Sequence, residues 1–306
     1  MSHVTLKPDG LLDDQNRYWY QRFPIDHLED YKRMIPGLSF DFTSYLSANS
    51  GWKYFPRSFN NYNPPQSANA IFANLKKLAT IKGDIDRVYD LNRQLKGIFR
   101  TYATEARGKY ANVLDIIDRI GTEIADDAPL NVSDLETLRG IVQARSDLSA
   151  SMKTIVSTMV DLLHKIKADL ETTIGNINTN LLALNKVLVF TSAEQNKINQ
   201  GPTPENIWGF GERFALVDTY FVIIVNDAVT RAQAAITSDI SPAITMMERE
   251  LSSWDAISHD LTTVLQAVDD EKNDEVAELK LVDNDDILET WQKLGDIVVQ
   301  DSELDY

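Results

Sequence analysis

The chain of 306 residues contains no cysteine. Disulfides, thiol catalysis and zinc–thiolate sites are thereby excluded, while the compartment stays open. Histidine is almost as scarce. The four residues His3, His27, His164 and His259 are scattered and supply no His-x-x-x-His pair. No Ser–His–Asp pattern or glycine-rich nucleotide loop is present, and no Glu-x-x-His repeat of the kind that ligates di-iron in helical bundles. The sequence therefore reads as a non-enzyme with no catalytic residues, no metal and no cofactor. Uncharged runs are short as well: none reaches 18 residues, so a constitutive transmembrane helix is not expected. Residues Met1 to Asp9 hold no apolar stretch and do not read as a secretory signal. Without secretion the Asn131-Val132-Ser133 sequon carries no meaning.

Basic residues are outnumbered, 30 Lys and Arg against 46 Asp and Glu, for a net charge of −16. Phosphate-backbone binding needs clustered Lys and Arg, so nucleic acid is excluded as a partner. The charge is unevenly placed. From Asp269 to Tyr306 there are 14 acidic and 3 basic residues, or −11, which leaves −5 for the rest. The run Asp269-Asp270-Glu271-Lys272-Asn273-Asp274-Glu275 reads as a solvated linker. Neither it nor Asp283-Asn284-Asp285-Asp286 places glycine at the sixth position of a calcium loop.

What the chain has in abundance is helical periodicity. From Ser67 to Ala128 apolar residues recur at Ile71, Leu75, Leu78, Ile85, Val88, Leu95, Ile98, Tyr102, Ala106, Tyr110, Val113, Ile117, Ile120 and Ile124. The steps are mostly threes and fours, which place them on one helical face. Three successive fours from Ile98 to Tyr110 are locally nearer an eleven-residue repeat, so this part is expected to run straight rather than supercoil. Gly83, Gly97, Gly108 and Gly121 are the points where the helix would break, each about 1 kcal/mol worse than alanine.

A second stretch runs from Ser133 to about Gln200 and repeats Leu135, Leu138, Val142, Leu148, Met152, Ile155, Met159, Leu162, Ile166, Leu170, Ile174, Ile177, Leu181, Leu184 and Leu188. Ser133 and Glu136 are spaced as a capping box. Gly201-Pro202-Thr203-Pro204 ends the stretch, because proline cannot continue a helix. Two helices of some 60 residues joined around Pro129 predict an antiparallel rod of about 90 Å.

Four regions follow. Residues 1–66 form an aromatic-rich segment packed on the bundle: 13 of the 27 aromatics lie between Tyr18 and Tyr62, broken by prolines 24, 36, 56, 64 and 65. A helix is expected from Asp26 to Met34 and a short element from Phe40 to Leu46. Residues 67–200 are the two long helices, or stalk. Residues 201–240 form an apolar head insert, and residues 241–306 the return helices and acidic C-terminus. Ser241-Pro242 reads as an N-cap followed by proline in the first turn, leading Met247, Leu251, Trp254, Ile257, Leu261, Val264 and Val268 along one face. Asp283 to Gln300 carries a short helix with Ile287, Leu288, Trp291, Leu294 and Val298.

The insert holds the most apolar run of the chain, Tyr220 to Val225. It reads either as a buried helix or strand, or as a segment that meets a membrane only after a trigger. The residues expected to make that contact are Trp208, Phe210, Phe214, Leu216, Val217, Tyr220, Phe221, Val222, Ile223, Ile224 and Val225, with Gly201, Pro202, Gly209 and Gly211 as hinge. Only eight residues separate Asp218 from Asp227, whereas a spanning helix needs about 20. Contact would be interfacial or shared with a partner.

This order of elements, an aromatic segment, two long helices, an apolar insert, a return helix and a tryptophan-bearing terminal helix, resembles the α-helical pore-forming toxins of the cytolysin A, haemolysin BL and xenorhabdolysin type. The likeness covers roughly residues 67–300 and is one of architecture. It implies an all-α, elongated antiparallel bundle of about five helices, two very long, with a small apolar head at one end. It further implies a pore-forming cytolytic component, acting alone or as one component of a binary toxin, that is soluble until it meets a target-cell membrane and assembles with a second toxin subunit or with itself. The insert is short and carries Asp218 and Asp227, which fits the less hydrophobic partner of such a pair. The alternative is an intracellular helical scaffold or adaptor, cytoplasmic and without membrane activity. A third reading, a hydrolase or binding protein using the aromatic N-terminal region, rests on composition alone.

Overall fold

The computed structural model describes residues 4, 6–8, 10–11, 26–35, 66–187, 192, 196, 215–269 and 284–304. All regular structure among them is helical. The elements are α1 (Asp26–Met34), α2 (Gln66–Ala125), α3 (Val132–Val187), α4 (Ala215–Ala234), a π-helical segment (Ala235–Ile240), α5 (Ser241–Asp269) and α6 (Asn284–Leu304). The π-helical segment joins α4 to α5 without a break, so these residues form five continuous helical stretches. The fold is an all-α bundle with two very long helices of 60 and 56 residues. The expected element at Phe40 to Leu46 lies outside the described residues.

The link between α2 and α3 shows why the chain reverses where it does. Asp127 adopts a left-handed φ of 53°, Ala128 N–H donates to Glu123 O at 2.8 Å and Asp127 N–H to Ile124 O at 3.2 Å. These two bonds are the Schellman pattern, and Pro129 follows as the stop. The start of α3 corrects the expected cap. Asn131, not Ser133, is the cap: its Oδ1 accepts from Ser133 N–H at 3.0 Å, and its carbonyl from Asp134 and Leu135 N–H. Asparagine is as good a cap as serine and lies two residues earlier, so the helix gains its first residues from it. Arg119 then clamps Asp134 through two bonds of 2.9 Å each, and Glu123 accepts from Asn131 N–H. The guanidinium holds the Asp134 carboxyl below its usual range.

The four glycines of α2 do not break it; the helix is continuous through all of them. Its stripe differs from the expected one in detail. Ile98 and Ile124 are half-buried, while Phe72, Ile81, Phe99, Ala103, Leu114 and Ile116 join the core. In α3 Leu135 and Leu148 are half-buried. Between Val142 and Met152 the interior positions fall on Arg145 and Ser149. The side chain of Leu184 and all of Leu188 lie outside the description.

The described residues form two compact units. The first holds residues 4, 6–8 and 10–11, α2 from Val88, α3 to Asp161, α5 from Ile244 and α6. In it Trp254, Trp291, Tyr102, Tyr110 and Phe99 form the centre. Gly295 allows α6 to approach α2 closely, since a Cβ there would lie 3.2 Å from Ala103 O and 3.7 Å from Thr104 Cα. The second holds α1, α2 to Arg87, α3 from Leu162, α4, the π-helical segment and α5 to Ala243. Here Lys165 of α3 bridges Asp84 of α2 and its own neighbour Asp169.

Ser241 is not a helix cap as its sequence suggests. Its φ and ψ of −65° and −44° are helical, and its N–H donates to Ile236 O, five residues back. Pro242 explains the wider winding. In an α-helix its ring would clash with the carbonyl of Ser238 and one bond would be lost; a widened turn relieves the crowding.

Two glycine substitutions separate open surface from close packing. A Cβ at Gly97 meets nothing within 4 Å. Gly97→Ala is expected to raise unfolding free energy by about 0.5–1 kcal/mol. Gly295→Val is expected to lower it by about 1–3 kcal/mol through overpacking. Urea unfolding followed by helical circular dichroism reads both.

Candidate functional site

Of the residues expected to form the apolar head, Trp208, Phe210 and Phe214 and the hinge residues Gly201, Pro202, Gly209 and Gly211 lie outside the described residues. The others fall in α4. The structure describes the side chains of two of them, and both are interior: Val222 is 2% exposed and Val225 0%. They continue into Ala228, Val229, Ala232, Ala235, Ile236 and Ile240. Apart from Val222 and Val225, only the backbone is described for the rest of the expected run, as helix. α4 is the most apolar helix of the six and the least amphipathic. Its described part still has a polar side, where Thr230, Arg231 and Gln233 are exposed and Arg231 pairs with Asp227 at 3.0 Å. No described helix is long and apolar enough to cross a membrane.

α1 packs against both α4 and the π-helical segment. Three side chains anchor it, Leu28, Tyr31 and Ile35, all buried and spaced i, i+3, i+7. The Tyr31 hydroxyl donates to Leu78 O of α2 at 2.9 Å. Asp239, on the last turn of the π-helical segment and 1% exposed, receives the first turn of α1. Its Oδ2 accepts from Leu28 N–H at 2.7 Å and its Oδ1 lies 2.9 Å from His27 Nδ1. The carboxylate thus satisfies one of the orphan donors that every helix leaves at its N-terminus, and its charge suits the positive end of the helix. Lys32 adds ion pairs to Asp86 of α2 at 2.9 Å and to Glu29 at 3.4 Å. Hydrogen bonds from Lys32 and Lys82 hold the Asp86 carboxyl below its ordinary range.

A second polar constellation lies inside the first unit. Arg145 is 2% exposed, and its Cζ sits 3.2 Å from the centre of the Tyr102 ring and 5.3 Å from that of Tyr110. Its Nη2 donates to Tyr102 O at 2.9 Å. The ring face stands in for water over the rest of the guanidinium. The two tyrosine hydroxyls are 2.7 Å apart. Trp291 stacks on Tyr110 at 5.3 Å, and Trp254 meets Tyr102 edge-on at 5.2 Å. Both indoles are satisfied: Trp254 Nε1 donates to Glu250, and Trp291 Nε1 to Leu6 O. Leu6, at φ 48°, donates its own N–H to Asp260 at 2.9 Å. Leu6 is thereby tied to both α5 and α6.

Sequence reading passed over Arg145, Asp239, Glu250 and Asp260. For Arg145 a signal existed: the stripe jumps six residues from Val142 to Leu148, and the missing step of three falls on Arg145. Asp239 had none, because its partners stand 211 and 212 residues away. His164 and His259 are exposed. Among the described residues no group of three or more His, Asp or Glu is placed to hold a metal ion. No protein-family model matches this sequence, and no curated protein matches it.

The buried phenols make stability depend on alkaline pH. Burial pushes Tyr31, Tyr102 and Tyr110 above the ordinary value of 10.0, with Arg145 opposing the rise at the last two. Their folded values lie above the unfolded one, so the stabilisation is complete below pH 10 and is lost as pH climbs beyond it. Unfolding free energy is expected to fall steadily above about pH 10. Phenolate absorbance should show three tyrosines ionising only as the helices melt. Ionisation of all eleven before any loss of helix would contradict this.

Proposed function

We propose that this chain is a pore-forming cytolytic toxin component, a helical-bundle protein that binds target-cell membranes and oligomerises through a conditional apolar head centred on α4. The observation that carries the reading is α4 itself. It is the most apolar and least amphipathic of the helices, yet Val222 and Val225 are packed out of water. Two helices of 60 and 56 residues and the order of elements around them support the same reading through their likeness to α-helical pore formers. With no described helix suited to spanning, α4 meets lipid at the interface or together with a second subunit.

Dye release from liposomes and lysis of erythrocytes test the proposal. The chain is expected to bind vesicles and to release dye, alone or mixed with a second bundle protein encoded beside it. Absence of membrane binding under every pairing would replace this reading with that of a helical scaffold, in which α4 serves only as core or as a docking face.

A further inference from the structure

Charge is sorted between two neighbouring helices of the first unit. From Arg93 to Lys109, α2 carries five basic residues and one acidic, Glu105, or +4, in a chain of net −16. α6 carries six acidic residues and one base, Lys293, or −5. The two helices run side by side in opposite directions. Gly295 meets α2 at Ala103, Trp291 stacks on Tyr110, and Arg107 Nη1 donates to Gln292 Oε1 at 3.1 Å. Arg93, Arg100 and Arg107 are exposed at steps of seven, which a helix places on one face. Glu289 and Asp296 are exposed on α6 at the same step.

Within one copy these rows barely neutralise each other. Arg93 pairs with Asp90, three residues away on its own helix. Arg107 meets only the neutral Gln292, whose Nε2 donates to Asp296 at 2.6 Å and so stands between the two charges. Among the described residues the side chains of Arg100 and Glu289 have no hydrogen bond or ion pair. We propose that the α2–α6 face is the contact surface for a second copy of this chain, α2 of each copy lying on α6 of the other. A two-fold axis parallel to the helices makes the contact isologous and keeps heights equal. Asp296 of one copy then comes level with the gap between Arg100 and Arg107 of the other, because Gly295 is level with Ala103. The shared step of seven, about 10.5 Å, keeps Glu289 within reach of Arg107 in the same register. Lys293, between the two acids, opposes the attraction, and exposed ion pairs are each worth little. A face about 20 Å long and two helices wide covers roughly 400 Å² per copy, the size of a transient contact. The dimer is therefore weak and sensitive to ionic strength. It requires no membrane, and so stands or falls separately from the lytic activity.

Sedimentation velocity of the full chain reads the contact. The wild type is expected to dimerise with rising concentration in about 50 mM salt, and to lose about tenfold or more in affinity in about 500 mM salt. Arg100→Glu with Arg107→Glu sets acidic rows against acidic rows and should stay monomeric. Glu289→Arg with Asp296→Arg sets basic against basic and should do the same. Mixing the two variants restores opposite charge at every contact, so the mixture is expected to form a heterodimer at concentrations where neither component dimerises. All four positions are exposed, so the helical circular dichroism of each variant should match the wild type. A wild-type chain that stays monomeric at low salt overturns the proposal, as does a mixture no more associated than its components. Wild-type monomers that bind phosphatidylserine vesicles through Arg100 and Arg107 would also overturn it, and assign the row to lipid headgroups. Should a variant fail to fold, the salt dependence of the wild type decides alone.

Discussion

Each long helix here carries an apolar stripe along most of its length, and an isolated helix in water has nowhere to put it. Mutual burial of the α2 and α3 stripes is the constraint on which the other elements depend. Ile71, Leu75, Leu78 and Ile85 on α2, with Leu162, Ile166, Leu170 and Ile174 on α3, are almost wholly removed from water in the second unit. Tyr102, Tyr110, Val113 and Ile117, with Leu138, Val142, Met152 and Ile155, repeat this in the first. The Schellman turn at Asp127 and the Asn131 cap let the two stripes face one another with few orphaned backbone groups at the reversal. α4, α5 and α6 complete the enclosure. Trp254 and Trp291, both in the first unit, are the largest fully buried side chains among the described residues.

Three charged groups inside this apolar framework meet partners far along the chain. Arg145 is met by a tyrosine face and a carbonyl, Asp239 by a helix N-terminus, and Asp260 by the N–H of Leu6. Such groups add less to stability than apolar side chains of similar size would, but removing one partner leaves the other stranded. They therefore fix which element packs where: Asp239 receives the first turn of α1. The same logic makes Leu6 and α1 specific attachments of the two units, one held by Asp260 and Trp291, the other by Asp239 and Tyr31.

Helix α1 was legible to the residue, because the Asp26 to Met34 segment is bounded by prolines and carries its own period. The long helices were legible because a stripe repeated over so many turns has no other stable solution. Errors arose at ends and at polar interior positions. Ser133 looks like a cap from its own spacing to Glu136, yet Asn131 offers the same chemistry two residues earlier and wins. Ser241 looks like a cap before Pro242, yet the chain enters it already helical, through a widened turn. Of the apolar head, sequence marked Val222 and Val225 as a greasy run but left open whether the run was helix or strand. The packing of α4 beside α1 and the π-helical segment assigns them to a helix interior.

Helical class, the two long elements and the apolar character of residues 220–225 follow from the sequence by itself, because periodicity and composition act locally and need no knowledge of neighbours. The pairing of Asp239 with the first turn of α1, the seating of Arg145 on Tyr102 and the π winding before Pro242 belong to the tertiary structure. Each depends on which distant group is brought against a buried polar atom, and a buried charge has no preference that its own sequence neighbours reveal.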